Sequence, residues 1–484
     1  MFNPFLSGAK GSRWSLLSSI LMFAFLLIGM ILGDNQTAYT LPIHKVSAIP
    51  AFARKYGLPC SACHTAWPKL TNFGMVFRDN GYQLGNERDS PIWQNPSYFP
   101  IALRITPQWH LEHTTNQPID VTPGDPSAQA NGSVTNHGFD LSGMDFWTAG
   151  TLYKNISFSL LPSSDPTATF HFENALIRFD NLKGSSWFNL KFGKFELNNL
   201  ISEKRFLFLS ANGGLYQSYH FVPVGDKNDF GIGDNQLGVE LMGHSRNSYT
   251  RYSVSVLSSN EGSVDLIDGN NGVGNPQGRT YDTYLTFDQA FNAGSLGLER
   301  IGGYAYIGQR STYYQTSFGA PEVGLGNKPF YRVGFTGDLY FGKLNIQPFY
   351  MHGYDNAFLG TSTASNTSLP TGAVGPEWNA GFVEFGYYVN PQFVAIGRYE
   401  LVRMQRQALP TTPSSQGNID AYSVGFRWMP IMFSRAGVAL HGEYSITKSI
   451  GIVPLSADGT GSPPLSPTGA VWSSSVLIAF DFAF

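Results

Sequence analysis

The clearest candidate for chemistry is a pair of cysteines followed directly by a histidine, Cys60-Ser61-Ala62-Cys63-His64. Two thiols three residues apart lie on one side of a turn, where each can form a thioether to one vinyl group of a haem. The next residue, His64, is then held under the iron as its proximal ligand. The motif predicts one covalent haem c, bound by Cys60, Cys63 and His64.

Three other uses of this cysteine pair fit the sequence less well. A zinc site needs four ligands, and only His64 accompanies the two thiols. A thioredoxin-like redox pair needs a βαβ setting, which the surrounding sequence does not show. A structural disulfide across two intervening residues would be strained. Haem attachment is therefore the preferred interpretation.

The sixth ligand of such an iron is left open by the sequence. Met75 lies 11 residues after His64, and a thioether ligand there would raise the reduction potential. Met75 could equally pack against a helix face or the haem. His44, His110 and His113 are other candidates, and an open sixth position is a further alternative.

Residues 49–85 around the motif form a loosely helical apolar pattern that includes Leu70, Phe73, Val76, Phe77 and Tyr82. A mostly helical haem segment of this length is too short to bury a haem on all sides. We therefore expect a second surface of the protein to complete the pocket.

The N-terminus predicts export. Lys10 and Arg13 precede an apolar run from Trp14 to Gly33, which is typical of a signal peptide. Residues 1–48 are assigned to this signal, with cleavage near 38 or 48. The run is also long enough to remain as a membrane anchor.

The remainder of the chain predicts β-structure in a membrane. Only 13% of residues are charged while 14% are aromatic, and the net charge of −3 offers no basic field for a nucleic acid. From about residue 100, segments alternate between apolar and polar side chains, for example Phe188, Leu190 and Phe192 against Asn189 and Lys191. We count sixteen such segments: 100–111, 142–152, 154–162, 168–179, 187–195, 235–245, 248–258, 279–288, 297–308, 330–341, 343–354, 378–389, 392–402, 418–429, 434–447 and 472–484.

The links between these segments alternate between short turns and long polar loops such as 112–141 and 196–234. An even strand number, this alternation and a final amphipathic strand ending in Phe484 are typical of an outer-membrane barrel. A soluble propeller or sandwich is the alternative. The sequence thus predicts a 16-stranded antiparallel transmembrane β-barrel at 100–484, a linker at 86–99, and both barrel ends on the periplasmic side. A polar stripe facing the lumen would include Arg332, Asp338, Glu384, Arg427, His441 and Glu443.

A haem joined to a barrel predicts an electron conduit. The hydrocarbon layer is ~30 Å thick. A haem held in the periplasm alone cannot exchange electrons across that distance. A haem seated in the lumen lies closer to both faces, so one electron can pass between the outside and a periplasmic carrier.

The chain resembles the fused outer-membrane monohaem cytochrome c–porins of iron-oxidising bacteria. The resemblance lies in Ile49-Pro50-Ala51-Phe52-Ala53-Arg54, in the cysteine motif, in Pro68, Leu70 and Phe73-Gly74, and in Phe77-Arg78-Asp79-Asn80-Gly81-Tyr82. It implies an Fe(II):cytochrome c oxidoreductase that oxidises extracellular Fe(II) and passes the electron to a periplasmic c-type cytochrome or copper protein. It also implies that Cys60 and Cys63 hold the haem and that His64 is its ligand. The role of Met75 gains nothing from the resemblance.

Other functions remain compatible with the sequence. One is a solute porin whose haem segment is a structural or sensing plug, and another is a peroxidase-like enzyme with an open iron position. A third is a conduit that delivers electrons outward. The sequence shows no spaced His, Asp and Glu cluster that would chelate Fe(II).

Overall fold

The structure is a computed structural model of the 484-residue chain. It describes residues 50–66, 69–84, 101–120, 129–164, 170–202, 216–226, 228, 230–233, 235–258, 281–311, 326–361, 368–432, 436–452 and 469–483. The predicted signal peptide, its cleavage sites, the linker and His44 lie outside these residues. In the described ranges, no helix is both long and apolar enough to cross a bilayer.

Short elements precede the barrel in the described chain. They are α1 (Pro50–Tyr56), α2 (Cys60–Cys63), β1 (His64–Ala66), β2 (Lys69–Leu70) and α3 (Asn72–Asp79). Thr71 is the N-cap of α3, and its side chain accepts a hydrogen bond from the amide of Gly74. We call residues 50–84 the N-terminal segment, and its mostly helical character agrees with the sequence prediction.

Sixteen antiparallel strands then form one closed barrel. Their bounds are β3 (Ala102–Asp120), β4 (Gln129–Tyr153), β5 (Ile156–Ser164), β6 (Phe170–Phe179), β7 (Asn189–Glu196), β8 (Asn235–His244), β9 (Thr250–Ser258), β10 (Tyr281–Asn292), β11 (Leu298–Ser311), β12 (Asn327–Phe341), β13 (Leu344–Asp355), β14 (Glu377–Asn390), β15 (Phe393–Arg406), β16 (Ile419–Met432), β17 (Gly437–Ile450) and β18 (Ala470–Ala483). Closure comes from pairing of the last strand with the first, as in Ile478 opposite Trp109. The predicted fold class and strand number are confirmed.

Side chains alternate between the two faces of the barrel wall. Along β18, Ser473, Ser475 and Leu477 are buried, whereas Ile478 and Phe480 on the other face are more than a third exposed. Large apolar residues are exposed on the outer face of many strands, including Val256, Phe287, Ile301, Ile307, Phe335, Tyr387, Tyr422 and Val424. An apolar exterior on a closed sheet, which leaves no unpaired strand edge, is the form in which β-structure crosses a bilayer. The predicted outer-membrane location is confirmed.

One predicted loop is wrong. Residues 112–141 were expected to be a long polar loop, but β3 and β4 continue through most of it as a two-stranded ribbon, with His113 opposite Thr135 and Ile119 opposite Ala130. Only residues 121–128 between the two strands lie outside the description. The ribbon has no apolar alternation because β5 pairs with β4 only from Met144 onward. Hydrogen bonds between the backbones of β3 and β4 form this ribbon. Such bonds impose no alternation of apolar and polar side chains, so the sequence pattern does not predict the ribbon.

Candidate functional site

The cysteine motif forms a compact helical turn. Cys60 and Cys63 are the first and last residues of α2, and His64 follows directly as the first residue of β1. The side chain of His64 is buried, with 8% of its surface exposed. Cys63 is a half-buried free cysteine, and burial raises the pKa of its thiol to about 11. The turn therefore places a thiol and an imidazole on adjacent residues in a partly dry environment.

Helix α3 holds this turn in place from one side. The amide of Thr71 donates to the carbonyl of Cys63 at 2.9 Å, and its hydroxyl donates to the carbonyl of Ala62 at 2.8 Å. Gly74 lies so close to Cys63 that a Cβ at position 74 would overlap the Cys63 carbonyl. The geometry of α2 thus depends on a glycine and a threonine of α3.

The candidates for a sixth ligand are placed differently. Met75 is half-buried on α3, next to Gly74 at the helix crossing. His110 and His113 lie on β3, whereas Ala102 at the start of β3 is opposite Trp147 near the N-terminal segment. At a rise of about 3.4 Å per residue, His110 and His113 are roughly 27 and 37 Å along the strand from Ala102. This separation disfavours both histidines as ligands of a group held by His64.

An aromatic cluster joins the N-terminal segment to the barrel wall. Phe52 of α1 stacks on Tyr82 at 5.4 Å and meets Phe77 of α3 edge-on at 5.0 Å. Trp147 of β4 packs against Phe52 at 5.5 Å and against Tyr82 at 6.4 Å between ring centroids. Tyr56 also meets Phe77 edge-on. The barrel therefore supplies the second apolar surface that the short segment lacks.

A buried ion pair fixes the end of α3 to the wall. Arg251 of β9 donates to both carboxylate oxygens of Asp79, at 2.8 and 3.3 Å. Burial alone would raise the pKa of Asp79, but the attraction of Arg251, assisted by Arg78, holds this pKa well below its usual range. Arg178 of β6 donates to the backbone carbonyls of Arg78 and Asp79, both at 2.9 Å. Two arginines thus satisfy the carboxylate and the terminal carbonyls of the helix.

Further contacts continue from Arg251 along the wall to the other end of α3. Arg251 also donates to Asp288 of β10 at 3.1 Å, and Arg300 of β11 donates to the second oxygen of Asp288. Arg300 reaches back to the side chain of Asn72 at 3.3 Å. We call Asp79, Arg251, Asp288, Arg300 and Asn72 the ionic clamp. It holds α3 at both ends.

A second anchor lies across the mouth of the barrel. Lys69 of β2 forms an ion pair with Asp338 at 2.8 Å and also donates to Asn345. Burial would lower the pKa of Lys69, but the attraction of Asp338 raises it above its usual value. Ala66 packs with Val394, Ile396 and other buried apolar residues of the wall. Since Asp338 and Asn345 flank the short turn between β12 and β13, the segment occupies the short-turn end of the lumen.

Chain segments between β7 and β8 fill part of the barrel interior. They carry Leu197, Ile201, Tyr216, Tyr219, Phe221, Phe230 and Ile232, which are all buried. Tyr216 packs on Phe382 at 4.6 Å, and Phe230 packs on Tyr306 at 4.0 Å. We call this set and the wall aromatics that it contacts the lumen cluster. The sequence interpretation placed residues 196–234 in an external polar loop, and the described part of that range is instead internal.

Polar contacts fix these internal segments to the wall. The Tyr216 hydroxyl donates to Glu384 at 2.7 Å, and both the amide and the hydroxyl of Ser218 donate to Glu400 at 2.7 Å. Asn228 donates to Asp355 at 3.1 Å, and Arg332 forms an ion pair with the same carboxylate. The predicted inward stripe is confirmed for five buried residues, Arg332, Glu384, Arg427, His441 and Glu443, and Asp338 is half-buried against Lys69. Several of these polar side chains thus serve packing inside the lumen.

The donor set at α2 fits a covalent haem. The turn spacing, the free thiol of Cys63 and the buried adjacent imidazole are the features that attachment and axial ligation need. Among the side chains that the structure describes, no three His, Cys, Asp or Glu gather where they could hold a metal ion.

No family model matches the chain, and no curated protein matches it. Among solved structures it is similar to an anion-selective porin from Comamonas acidovorans, with 10% identity over 79% of this chain and 99% of that chain and a TM-score of 0.47. It is also similar to the outer-membrane channel DcaP of Acinetobacter baumannii, with 13% identity over 79% and 97% and a TM-score of 0.47. The chain itself folds as a closed barrel of sixteen antiparallel strands.

The sequence analysis missed the residues that connect the N-terminal segment to the barrel wall. Asp79 was noted only within a motif, and Trp147, Arg178, Arg251 and Arg300 received no role. A lone acidic residue at the end of an apolar helix was the available signal, since such a charge needs a partner when buried.

Proposed function

We propose that the protein is an electron-transfer protein of the outer membrane with one c-type haem attached to Cys60 and Cys63 and ligated by His64. The observation that carries this proposal is the position of the cysteine turn, in a segment locked into the short-turn mouth of a membrane barrel. Such a haem would supply a one-electron redox site. Electrons would pass singly between an extracellular donor and a periplasmic carrier.

The chain's own residues have distinct parts in this function. His64 would ligate the iron, and Met75 is the candidate for a second protein ligand. Thr71 and Gly74 hold the turn that presents both cysteines. The ionic clamp keeps the segment in the mouth, and the lumen cluster packs buried aromatic and aliphatic side chains inside the barrel.

Fe(II) is the donor that we propose, on the basis of the family resemblance, with a periplasmic c-type cytochrome or copper protein as acceptor. Among the described residues no carboxylate and imidazole cluster chelates a metal ion. Oxidation of Fe(II) at an exposed edge of the redox group needs no such site, because the electron leaves without a bond to the protein.

Mixing the purified, haem-loaded protein with Fe(II) tests this function directly. Reduction of the haem, followed by its absorbance across acidic and neutral pH, is the expected result. The matched control is His64→Met, which exchanges the proposed ligand and is expected to change the spectrum and the potential. If Fe(II) reduces the haem at no pH, iron oxidation is excluded. Turnover of peroxide instead would support the peroxidase alternative.

A solute channel is the second candidate, and it is favoured by the closed barrel fold. The inward hydroxyls of β3, β17 and β18 are buried, and they pair with each other, Thr114 with Ser473 and Ser445 with Ser475, both at 2.7 Å. Steady conductance of small ions in a planar bilayer, without redox turnover of the haem, would support this function over electron transfer.

A further inference from the structure

Positive charge collects on the short turns of the barrel. Lys154 lies between β4 and β5, Lys183 between β6 and β7, Arg246 between β8 and β9, and Lys343 between β12 and β13. All four side chains are exposed. We call these four residues the basic turns.

No exposed acidic residue balances them on the short turns that the structure describes. The acid among those turns is Asp180, which is fully buried and forms an ion pair with Arg178 at 2.6 Å. The turns at 293–297 and 391–392 carry no charge. The turn-bearing face of the barrel is therefore positively charged within the described ranges.

The basic turns surround the N-terminal segment. Asn72 donates to the carbonyl of Asn247, the neighbour of Arg246, at 3.2 Å. Lys69 donates to Asn345, two residues after Lys343. On the far side of the segment, Gly81 approaches Asp180 and Ser157, which flank the turns of Lys183 and Lys154. The segment thus lies among all four cations.

The segment also contributes exposed apolar surface at this face. Phe73, which directly follows Asn72, has 42% of its surface exposed, and Pro59 beside the cysteine turn is exposed as well. An apolar centre with a charged rim is the usual anatomy of a protein–protein interface. Charge on the rim steers the encounter and sets the orientation of the partner.

We propose that the basic turns, with the exposed Phe73 of the N-terminal segment, form the docking surface for a soluble periplasmic electron carrier whose own docking face is acidic. This inference rests on the proposed function, because the carrier must reach the segment that would bear the haem. Phosphate groups of the inner leaflet are the competing ligand for these cations. Bilayer headgroups surround the barrel but leave its mouth uncovered, so an exposed ring on the segment that lies in the mouth favours a protein.

The test uses the full haem-loaded protein in nanodiscs of zwitterionic lipid. The probe is the acidic soluble domain of cytochrome b5 with zinc in place of iron, so binding is read without electron transfer. Reversal of all four charges (K154E, K183E, R246E and K343E) is expected to weaken binding at least about tenfold at low salt, and this difference should shrink near 0.2 M salt. Lys328→Glu at the opposite end of β12 is the matched control and should leave binding unchanged.

The outcomes separate this inference from the proposed function. Because the zinc probe exchanges no electrons, its binding remains measurable even if the protein fails to oxidise Fe(II). Correct folding of the reversed variant is checked by its heat-dependent mobility on a denaturing gel. Equal binding of both forms overturns the proposal, and so does preferential binding of basic mitochondrial cytochrome c to the unaltered protein. In a second set of nanodiscs that contain anionic lipid, a reversed variant that binds the probe normally but no longer enriches the anionic lipid around it assigns the cations to headgroups and overturns it too.

Discussion

The two internal structures of this barrel are fastened to the same wall by different chemistry. The N-terminal segment at the short-turn mouth is held by ion pairs, with Arg251 between Asp79 and Asp288, in addition to the rings around Trp147. The lumen cluster is held mainly by rings, such as Phe230 on Tyr306 and Tyr216 on Phe382, in addition to hydrogen bonds to Glu384 and Glu400. The first arrangement is directional, whereas the second mainly fills space.

This difference shows what each part of the lumen requires. Aromatic packing tolerates small shifts, because its energy is spread over many contacts. A bidentate arginine–carboxylate pair tolerates little displacement, since its partners become unsatisfied when they separate. A redox group would need a fixed position, and the segment that carries the cysteine turn is the part that is fixed by charges.

Removing both thiols should give the largest difference between the N-terminal segment, which would lose its haem, and the lumen cluster, which should be unaffected. We expect Cys60→Ser with Cys63→Ser to abolish covalent haem, because a hydroxyl forms no thioether with a vinyl group. Haem staining after denaturing electrophoresis measures the loss, and Ser61→Ala, an exposed position inside the motif, is the control. The barrel and the lumen cluster should still fold. Haem that stays covalently bound in the double variant would refute the assignment of these cysteines.

Breaking the ionic clamp should release the segment alone. Arg251→Met leaves Asp79 and Asp288 buried without this partner, at a cost of about 3–5 kcal/mol. Limited proteolysis of residues 50–84 in the folded barrel measures the release. Arg246→Met, on an exposed turn nearby, should change stability by no more than about 0.5 kcal/mol. Equal protection in both variants would show that the clamp does not hold the segment.

Weakening the lumen cluster should act on the channel and spare the segment. Phe230→Ala removes a ring that contacts Tyr306 and Phe330 and should cost about 3 kcal/mol. We expect higher ion conductance in planar bilayers, because the internal segments are less firmly packed. Val256→Ala on the outer face is the control. Unchanged conductance would mean that the cluster does not limit passage.

Lowering the pH should have the smallest effect of these changes on the protection of the N-terminal segment. The pKa of Asp79 is lowered in the folded protein, so its stabilising contribution is complete above the unfolded value near 4 and is lost as pH falls through the lower folded value. We therefore expect protection of the segment to be constant from pH 7 to about 4 and to decline only below that range. Pepsin digestion between pH 2 and 4 measures it, and Asp79→Asn should abolish the slope. A loss of protection near pH 6 would implicate a different group.

Much of the barrel could be predicted from the sequence because the bilayer imposes a regular pattern. Lipid on one side and the lumen on the other make alternate residues apolar, as in Phe480 and Phe482 against Ala479 and Asp481. The alternation of short and long links then fixes the topology. The ribbon at 129–141 escaped prediction because it has no buried face to impose a period.

The cysteine turn could be predicted for a different reason, because its chemistry requires residues that lie close together in the sequence. The clamp has no such local signature. Asp79 and Arg251 are 172 positions apart, and only the register of β9 in the closed barrel brings them together. The internal course of residues 216–232 was missed for the same reason, since its apolar rings find their partners on distant strands.

The clamp also imposes an order on biogenesis. Asp79 leaves the ribosome long before Arg251 and Arg300, and the segment cannot dock until the strands that carry these arginines have assembled. Until then the wall does not cover α2, so the proposed attachment of haem to Cys60 and Cys63 would have to precede docking. Assembly of the barrel wall would then draw the segment into the mouth.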